Sequence, residues 1–328
     1  MEYTKLGATG TDVSKLCFGT WRFGKTGADG EYETDYKEAQ NLLDACADLG
    51  INFIDTANVY GDDAGTSEEW IGDWLADRNR EKYVLASKVY FEYRDGPNGS
   101  GLGRKHIRSQ IEGTLDRLGT DYLDLYYIHR WDEDTPIEET LETLDQLVRE
   151  GKVNHIGASA MAAWQLTKAL WTSDTEDLSR FDVTQPRFSA ASDEGVNDYL
   201  EVCADQDVAV CPYSPLAGGF LTGKYERTED GGVRGPEGAR IDTDDSFRDS
   251  YVSERGWHVL DEIRAIADAE GATPAQVALR WLMDQQDFTC VPIVGARSPA
   301  QLEENAGAVD VSLDRDQRER ITAARNEF

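Results

Sequence analysis

The feature that most constrains this chain is an alternation of two hydrophobic patterns. Eight short runs rich in β-branched and aromatic residues recur along it: Leu16–Gly19, Asn52–Asp55, Tyr83–Ser87, Leu123–His129, Val153–Ala158, Asp182–Gln185, Val208–Cys211 and Thr289–Ile293. Longer segments of helical period lie between them. Many of the runs are apolar throughout, as strands buried on both faces should be. The helical segments carry their own start and stop signals. Tyr36 to Leu49 sets Ala39, Leu42, Leu43, Cys46 and Leu49 on one side and stops at Gly50. Arg104 to Leu118 stops at Gly119 in the same manner. Thr273-Pro274-Ala275-Gln276 reads as an N-cap, a proline at the first helical position and a capping-box glutamine, opening a helix Ala275–Met283.

Strands interleaved with helices predict an α/β fold, a single closed (β/α)8 barrel spanning residues 1–328. A doubly wound open sheet is the competing architecture. It would carry a glycine-rich phosphate turn after its first strand, and Gly19-Thr20-Trp21-Arg22-Phe23-Gly24 does not match that pattern. Two stretches fall outside the alternation. Met1–Ser14 reads as an N-terminal hairpin, turning at Ala8-Thr9-Gly10 and plugging the barrel bottom. Tyr225–Ser253 is rich in Gly and Asp without period, and is expected to form a flap over the active face.

Composition narrows the function classes. The formal charge is −30, with 63 acidic against 33 basic residues, so nucleic acid is excluded as a partner by the lack of a basic face. Only 10 of the basic residues are lysines, and the acidic residues are dispersed. That pattern suggests a surface kept soluble at high salt. No apolar run approaches a membrane span, and the polar start, Met1 to Gly10, has no signal-peptide core; a cytoplasmic location is expected. The five cysteines are odd in number and scattered, and no His pair has metal spacing, so neither a disulfide framework nor a metal site is expected.

Barrels of this kind place chemistry at the C-terminal ends of their strands. Three ionisable groups end apolar runs here: Asp55 after Phe53-Ile54, Lys88 after Val84-Leu85-Ala86-Ser87, and His129 after Leu125-Tyr126-Tyr127-Ile128. Each alone is compatible with a structural role. Their convergence, with Tyr60 close by, is not easily explained that way.

With these residues the chain resembles the aldo-keto reductase superfamily. The resemblance is carried by Asp55-Thr56-Ala57 with Tyr60-Gly61, Ser67-Glu68-Glu69, Ala86-Ser87-Lys88, and Arg117-Leu118-Gly119-Thr120-Asp121-Tyr122-Leu123-Asp124-Leu125-Tyr126. It continues through Ile128-His129, Ile156-Gly157-Ala158-Ser159, Pro212-Tyr213-Ser214-Pro215-Leu216, Gly223-Lys224, and Pro292-Ile293-Val294-Gly295-Ala296-Arg297 with Gln301 and Glu304-Asn305. These matches keep their order over nearly the whole chain.

The resemblance implies a catalytic tetrad of Asp55, Tyr60, Lys88 and His129, and the reversible reduction of small aldehydes or ketones by NADPH. Hydride addition to a carbonyl carbon leaves an oxygen that needs a proton. An ordinary phenol titrates near pH 10, and a neighbouring ammonium lowers that value. Lys88 is expected to do this to Tyr60, with Asp55 holding Lys88 charged and His129 orienting the substrate oxygen. The resemblance also implies a cofactor site. Tyr213 would stack on the nicotinamide, and Ser159 and Gln185 would bond its carboxamide. Ser214, Leu216 and Gly218 would line the pyrophosphate with backbone N–H groups, and Arg297 would meet the adenosine 2′-phosphate, with Lys224 as a second local cation. Thr20, Trp21, Asp55, Pro215, Gly295, Gln301, Glu304 and Asn305 complete the cofactor-binding set.

Three departures from the family pattern stand out. Ala160 follows Ser159 where Asn is usual. Pro186-Arg187-Phe188 follows Gln185. Arg130-Trp131 follows His129. Trp21, Tyr90 and Trp131, with Tyr60 and His129, are the expected substrate-pocket residues. A monomer or weak homo-oligomer is expected. Two other readings compete: an NADPH-binding sensor subunit with slow turnover, and a Schiff-base lyase that would need Lys88 neutral.

Overall fold

The computed structural model describes residues 1–27, 30–192, 194–228, 233–236 and 250–327. Eight parallel strands form one sheet: β3 (Cys17–Gly19), β4 (Phe53–Asp55), β5 (Val84–Val89), β6 (Leu123–Ile128), β7 (Val153–Ser159), β8 (Phe181–Gln185), β9 (Ala209–Val210) and β12 (Ile293–Val294). Each pairs with its sequence neighbour, and β12 pairs with β3. The ring closes through a parallel bridge between Val210 and Cys290. This is the (β/α)8 barrel expected from the alternation.

The last strand differs from expectation. Its paired segment starts at Ile293, not Thr289, and Cys290 makes only the isolated bridge. Pro292 explains the break: it has no N–H for the ladder, and contributes only its carbonyl, which accepts from Cys17 N at 3.0 Å. Strand β5 also runs one residue beyond Lys88, because Val89 pairs with Ile128.

The helices begin and end where their signals stand. Tyr36–Leu49 is opened by a capping box of Asp35 and Glu38 and closed by Gly50 at φ 75°. Arg104–Leu118 is closed by Gly119 at φ 63°. Pro274–Met283 carries the Thr273–Gln276 capping box. Each sets an apolar face on the sheet.

Two buried clusters divide the strands by parity, the two-residue period of extended chain. Ile54, Leu85, Val89, Tyr126 and Ile128 face the helices. Phe53, Val84, Ala86, Leu125, Tyr127, Val183, Ala209, Cys211 and Ile293 fill the barrel interior. Gly157 belongs to that crowded layer: a Cβ there would meet the Tyr127 ring at 2.6 Å.

The N-terminal hairpin, β1 (Tyr3–Lys5) against β2 (Asp12–Ser14), closes one end of the barrel. Leu6 and Val13 are fully buried within the interior cluster. The hairpin is tied down by His155, whose ring nitrogens meet Thr11 Oγ1 at 3.1 Å and Asp182 Oδ2 at 2.9 Å. All five cysteines are buried and free. Of the expected flap, a short hairpin of β10 (Glu226–Arg227) and β11 (Val233–Arg234) is seen; residues 229–232 and 237–249 lie outside the described residues. Among the described residues no helix is long and apolar enough to cross a membrane.

Candidate active site

The parity of each strand decides what reaches the other end of the barrel. Val84 and Ala86 point inward, so Lys88 does. Phe53 leads to Asp55, Leu125 and Tyr127 to His129, Val183 to Gln185, and Cys211 to Tyr213. Tyr60 comes from the turn after β4, where its N–H donates to Ala57 O and its carbonyl accepts from Ser67 N, both at 3.1 Å.

Lys88 is fully buried and uses all three N–H bonds. It donates to Asp55 Oδ1 at 2.5 Å, Thr56 O at 2.7 Å and Tyr60 Oη at 3.1 Å. The second Asp55 oxygen accepts from Gln185 Nε2 at 2.9 Å. Burial alone would depress the Lys88 ammonium, but the Asp55 charge and the hydrogen bonds outweigh it and hold the amine above its usual range. That disfavours a neutral, Schiff-base lysine.

Tyr60 corrects one expectation. Burial pushes its phenol up, Lys88 pulls it down, and burial wins, so the group stays above its ordinary value. The ion pair tempers the phenol without ionising it, leaving a proton to donate. His129 moves the other way. Burial, then the nearby Lys88 charge, holds its imidazole well below the usual range. The ring is therefore neutral. It meets Tyr60 and Phe91 edge-on at 5.9 and 4.8 Å, and its Nδ1 is buried with no partner among the described residues.

Above these groups lies a cleft with a cavity volume of about 760 Å³. Asp55, Tyr60 and His129 line it, as do Trp21, Ser159, Gln185 and Tyr213. So do Ser214, Pro215, Leu216, Gly218, Lys224, Gly295, Arg297 and Gln301. Thr20 does not: it sits below, its hydroxyl donating to Asp55 O at 3.0 Å and sharing a hydrogen bond with Ser67. Glu304 and Asn305 lie outside the cleft, the first exposed and the second buried. Ser159 spends its hydroxyl on Gln185 O at 2.8 Å, and Gln185 serves Asp55, so both steady the site from within. Tyr90 and Trp131 border an adjoining groove, and Phe91 takes the place expected of Tyr90 in the cleft wall.

A second buried carboxylate lies just behind. Ser87, opposite in parity to Lys88, donates to Glu68 at 2.5 Å, and Arg117 Nε donates to the same carboxylate at 2.7 Å. Arg117 also donates to Tyr93 Oη at 2.8 Å.

The aldo/keto reductase family model matches residues 15–326. The chain belongs to the aldo/keto reductase family. The chain is 37% identical to the Bacillus subtilis protein named uncharacterized oxidoreductase YrpG, covering 96% of this chain and 93% of that one. It is 34% identical to a probable voltage-gated potassium channel subunit beta of Arabidopsis thaliana, covering 95% and 92%. It is 36% identical to norsolorinic acid reductase B of Aspergillus parasiticus, covering 92% and 78%.

The cleft fits the nicotinamide nucleotides that the family uses. The Tyr213 ring, 37% exposed, forms an open face on the wall. Beyond it Ser214, Ala217, Gly218 and Gly219 all have positive φ, between 52° and 96°. Such a turn curls backbone N–H groups into a concavity suited to phosphate oxygens. Gly219 admits the neighbouring cation, since a Cβ there would stand 3.1 Å from Lys224 Nζ. Arg297 stands on the far rim, just ahead of the helix Pro299–Ala306, its N–H donating to Gln301 at 2.8 Å.

Proposed function

We propose that this reductase reduces the carbonyl of small aldehydes or ketones to alcohols, reversibly, with NADPH. The observation that carries the reading is Lys88 Nζ bonding Tyr60 Oη and Asp55 at once, at the edge of the cleft. When bound, the nicotinamide supplies hydride to the carbonyl carbon. Tyr60 O–H gives its proton to the carbonyl oxygen. Lys88 steadies the resulting phenolate, and Asp55, pinned by Gln185, keeps Lys88 charged. His129, neutral, donates one hydrogen bond that positions the substrate oxygen. The preference for NADPH over NADH rests on Arg297 and Lys224, whose local positive charge opposes the field of a chain at −30.

We read residues 1–328 as one barrel domain acting in the cytoplasm, as a monomer or weak homo-oligomer. Five unpaired, buried thiols suit a reducing compartment. The dispersed acidic residues favour function at high salt. A second reading, an NADPH-binding sensor subunit, is favoured by the likeness to the potassium channel subunit beta. A multiple-turnover assay separates the two. With an activated aromatic aldehyde, many equivalents of NADPH should be oxidised per enzyme, and fewer of NADH at equal concentration. A single equivalent would support the sensor.

A further inference from the structure

The cleft does not end at the reacting groups. A groove with a volume of about 900 Å³ adjoins it, and Arg130, Ala160, Arg187 and Tyr213 line both. At that junction Ala160 contributes only a methyl. Its φ of 49° lies in a region that bulky and β-branched residues avoid, so the backbone itself selects against a large side chain there. Arg187 is committed to Tyr251, its Nε donating to Oη at 2.7 Å.

Apolar and aromatic side chains from beyond four strand ends wall the groove. Tyr90 follows β5, Trp131 follows β6, Met161 and Trp164 follow β7, and Pro186 follows β8. Tyr90, Trp131 and Met161 also pack against the core. Trp164 differs. It is the second residue of the helix Ala163–Glu176 and is 60% exposed. Its ring meets Trp131 edge-on, with centroids 5.9 Å apart. An indole left mostly uncovered on the wall of a groove is a surface on offer, because packing another ring against it stabilises by more than the area alone.

We infer that this groove is a second substrate subsite, which takes the distal ring of an extended aromatic carbonyl compound. The carbonyl lies at Tyr60 and His129, and the ring system passes Ala160 to lie against Trp164 and Trp131. A single-ring aldehyde occupies the reacting end alone. A longer one also removes the indole and its own distal ring from water, which favours it in proportion to the apolar area covered. Trp164 is therefore a specificity-determining residue for linked or fused aromatic rings.

This inference rests on the carbonyl reduction proposed above. Its test compares biphenyl-4-carbaldehyde with benzaldehyde, which has the same aldehyde and proximal ring without the distal one. The wild type should show the higher kcat/KM with the biphenyl compound; a preference for benzaldehyde would overturn the subsite. Trp164→Ala changes an exposed helix position that alanine suits. In that variant the biphenyl-to-benzaldehyde ratio of kcat/KM should fall about 10-fold, chiefly through the KM of the biphenyl compound, the scale expected for a lost ring contact and its covered area. An unchanged ratio would overturn the proposal. If neither aldehyde is turned over, carbonyl reduction fails, and the groove is read separately by calorimetric titration with 4-biphenylmethanol. Binding at least about 5-fold tighter to wild type than to Trp164→Ala supports it; a smaller difference overturns it.

Discussion

Two buried ion pairs sit back to back on strand β5, and they do different work. Lys88 points into the barrel and meets Asp55; Ser87, one residue earlier, points outward and meets Glu68, which Arg117 holds. Both carboxylates are shielded from water. The Glu68 cluster is enclosed by protein groups, Ser87, Thr114 and Arg117, with Arg117 tied to Tyr93. The Asp55 pair passes one hydrogen bond to a phenol that faces a cavity. Charge burial alone therefore does not mark a catalytic site. What marks it is an ion pair with one arm on a titratable group open to substrate.

That contrast can be broken by mutation. Lys88→Met should lower kcat by about 10²-fold or more, since the phenol loses the one neighbour that pulls its pKa down. Steady-state kinetics on folded variant checks this. Glu68→Gln should instead cost about 3–5 kcal/mol of stability, because Arg117 is left without its buried counter-charge. Turnover per folded molecule should change far less. Denaturant titration alongside kinetics tests the pair, and a Glu68→Gln variant that is stable but inactive would erase the distinction.

The pH dependence gives a smaller effect. The folded pKa of His129 is depressed, so its neutral form stabilises the native state. That contribution is complete above the unfolded value of about 6.5 and is lost as pH falls through the folded value, at no more than about 1.4 kcal/mol per pH unit. Denaturant midpoints between pH 8 and 4.5 should fall more for wild type than for His129→Asn. Parallel curves would contradict the burial argument. The smallest expected change is at the open rim. Arg297→Ala should raise the KM for NADPH roughly 10-fold while leaving that for NADH nearly unchanged. Equal effects on both would remove the basis for the NADPH preference.

Much of this contrast was legible in the residues, and the reasons are physical. Asp55, Lys88 and His129 each end an apolar run, so their convergence at one end of the barrel was legible, and the two-residue period, rigid within a strand, then carries them to the inner face. The same logic fails where the strand stops. Strand β5 ends at Val89, and Tyr90 turns away, its carbonyl accepting from Gly101 N at 2.7 Å. Phe91, not Tyr90, then reaches the cleft. Glu68 and Arg117 stood in visible motifs, but their pairing joins residues 49 apart through packing that no local spacing records. The positive-φ turn at Ser214–Gly219 includes Ser214 and Ala217, residue types that do not advertise such a backbone. The direction of the Tyr60 shift needed the depth of its burial, which competes with the charge of Lys88 and exceeds it.

The most direct test of the account is Tyr60→Phe, which removes a single oxygen and leaves the ion pair beneath it. NADPH oxidation with an aromatic aldehyde, followed beside equilibrium NADPH binding, should show turnover reduced about 10²–10⁴-fold with cofactor affinity unchanged. Undiminished reduction by this variant would contradict the assignment of the proton donor.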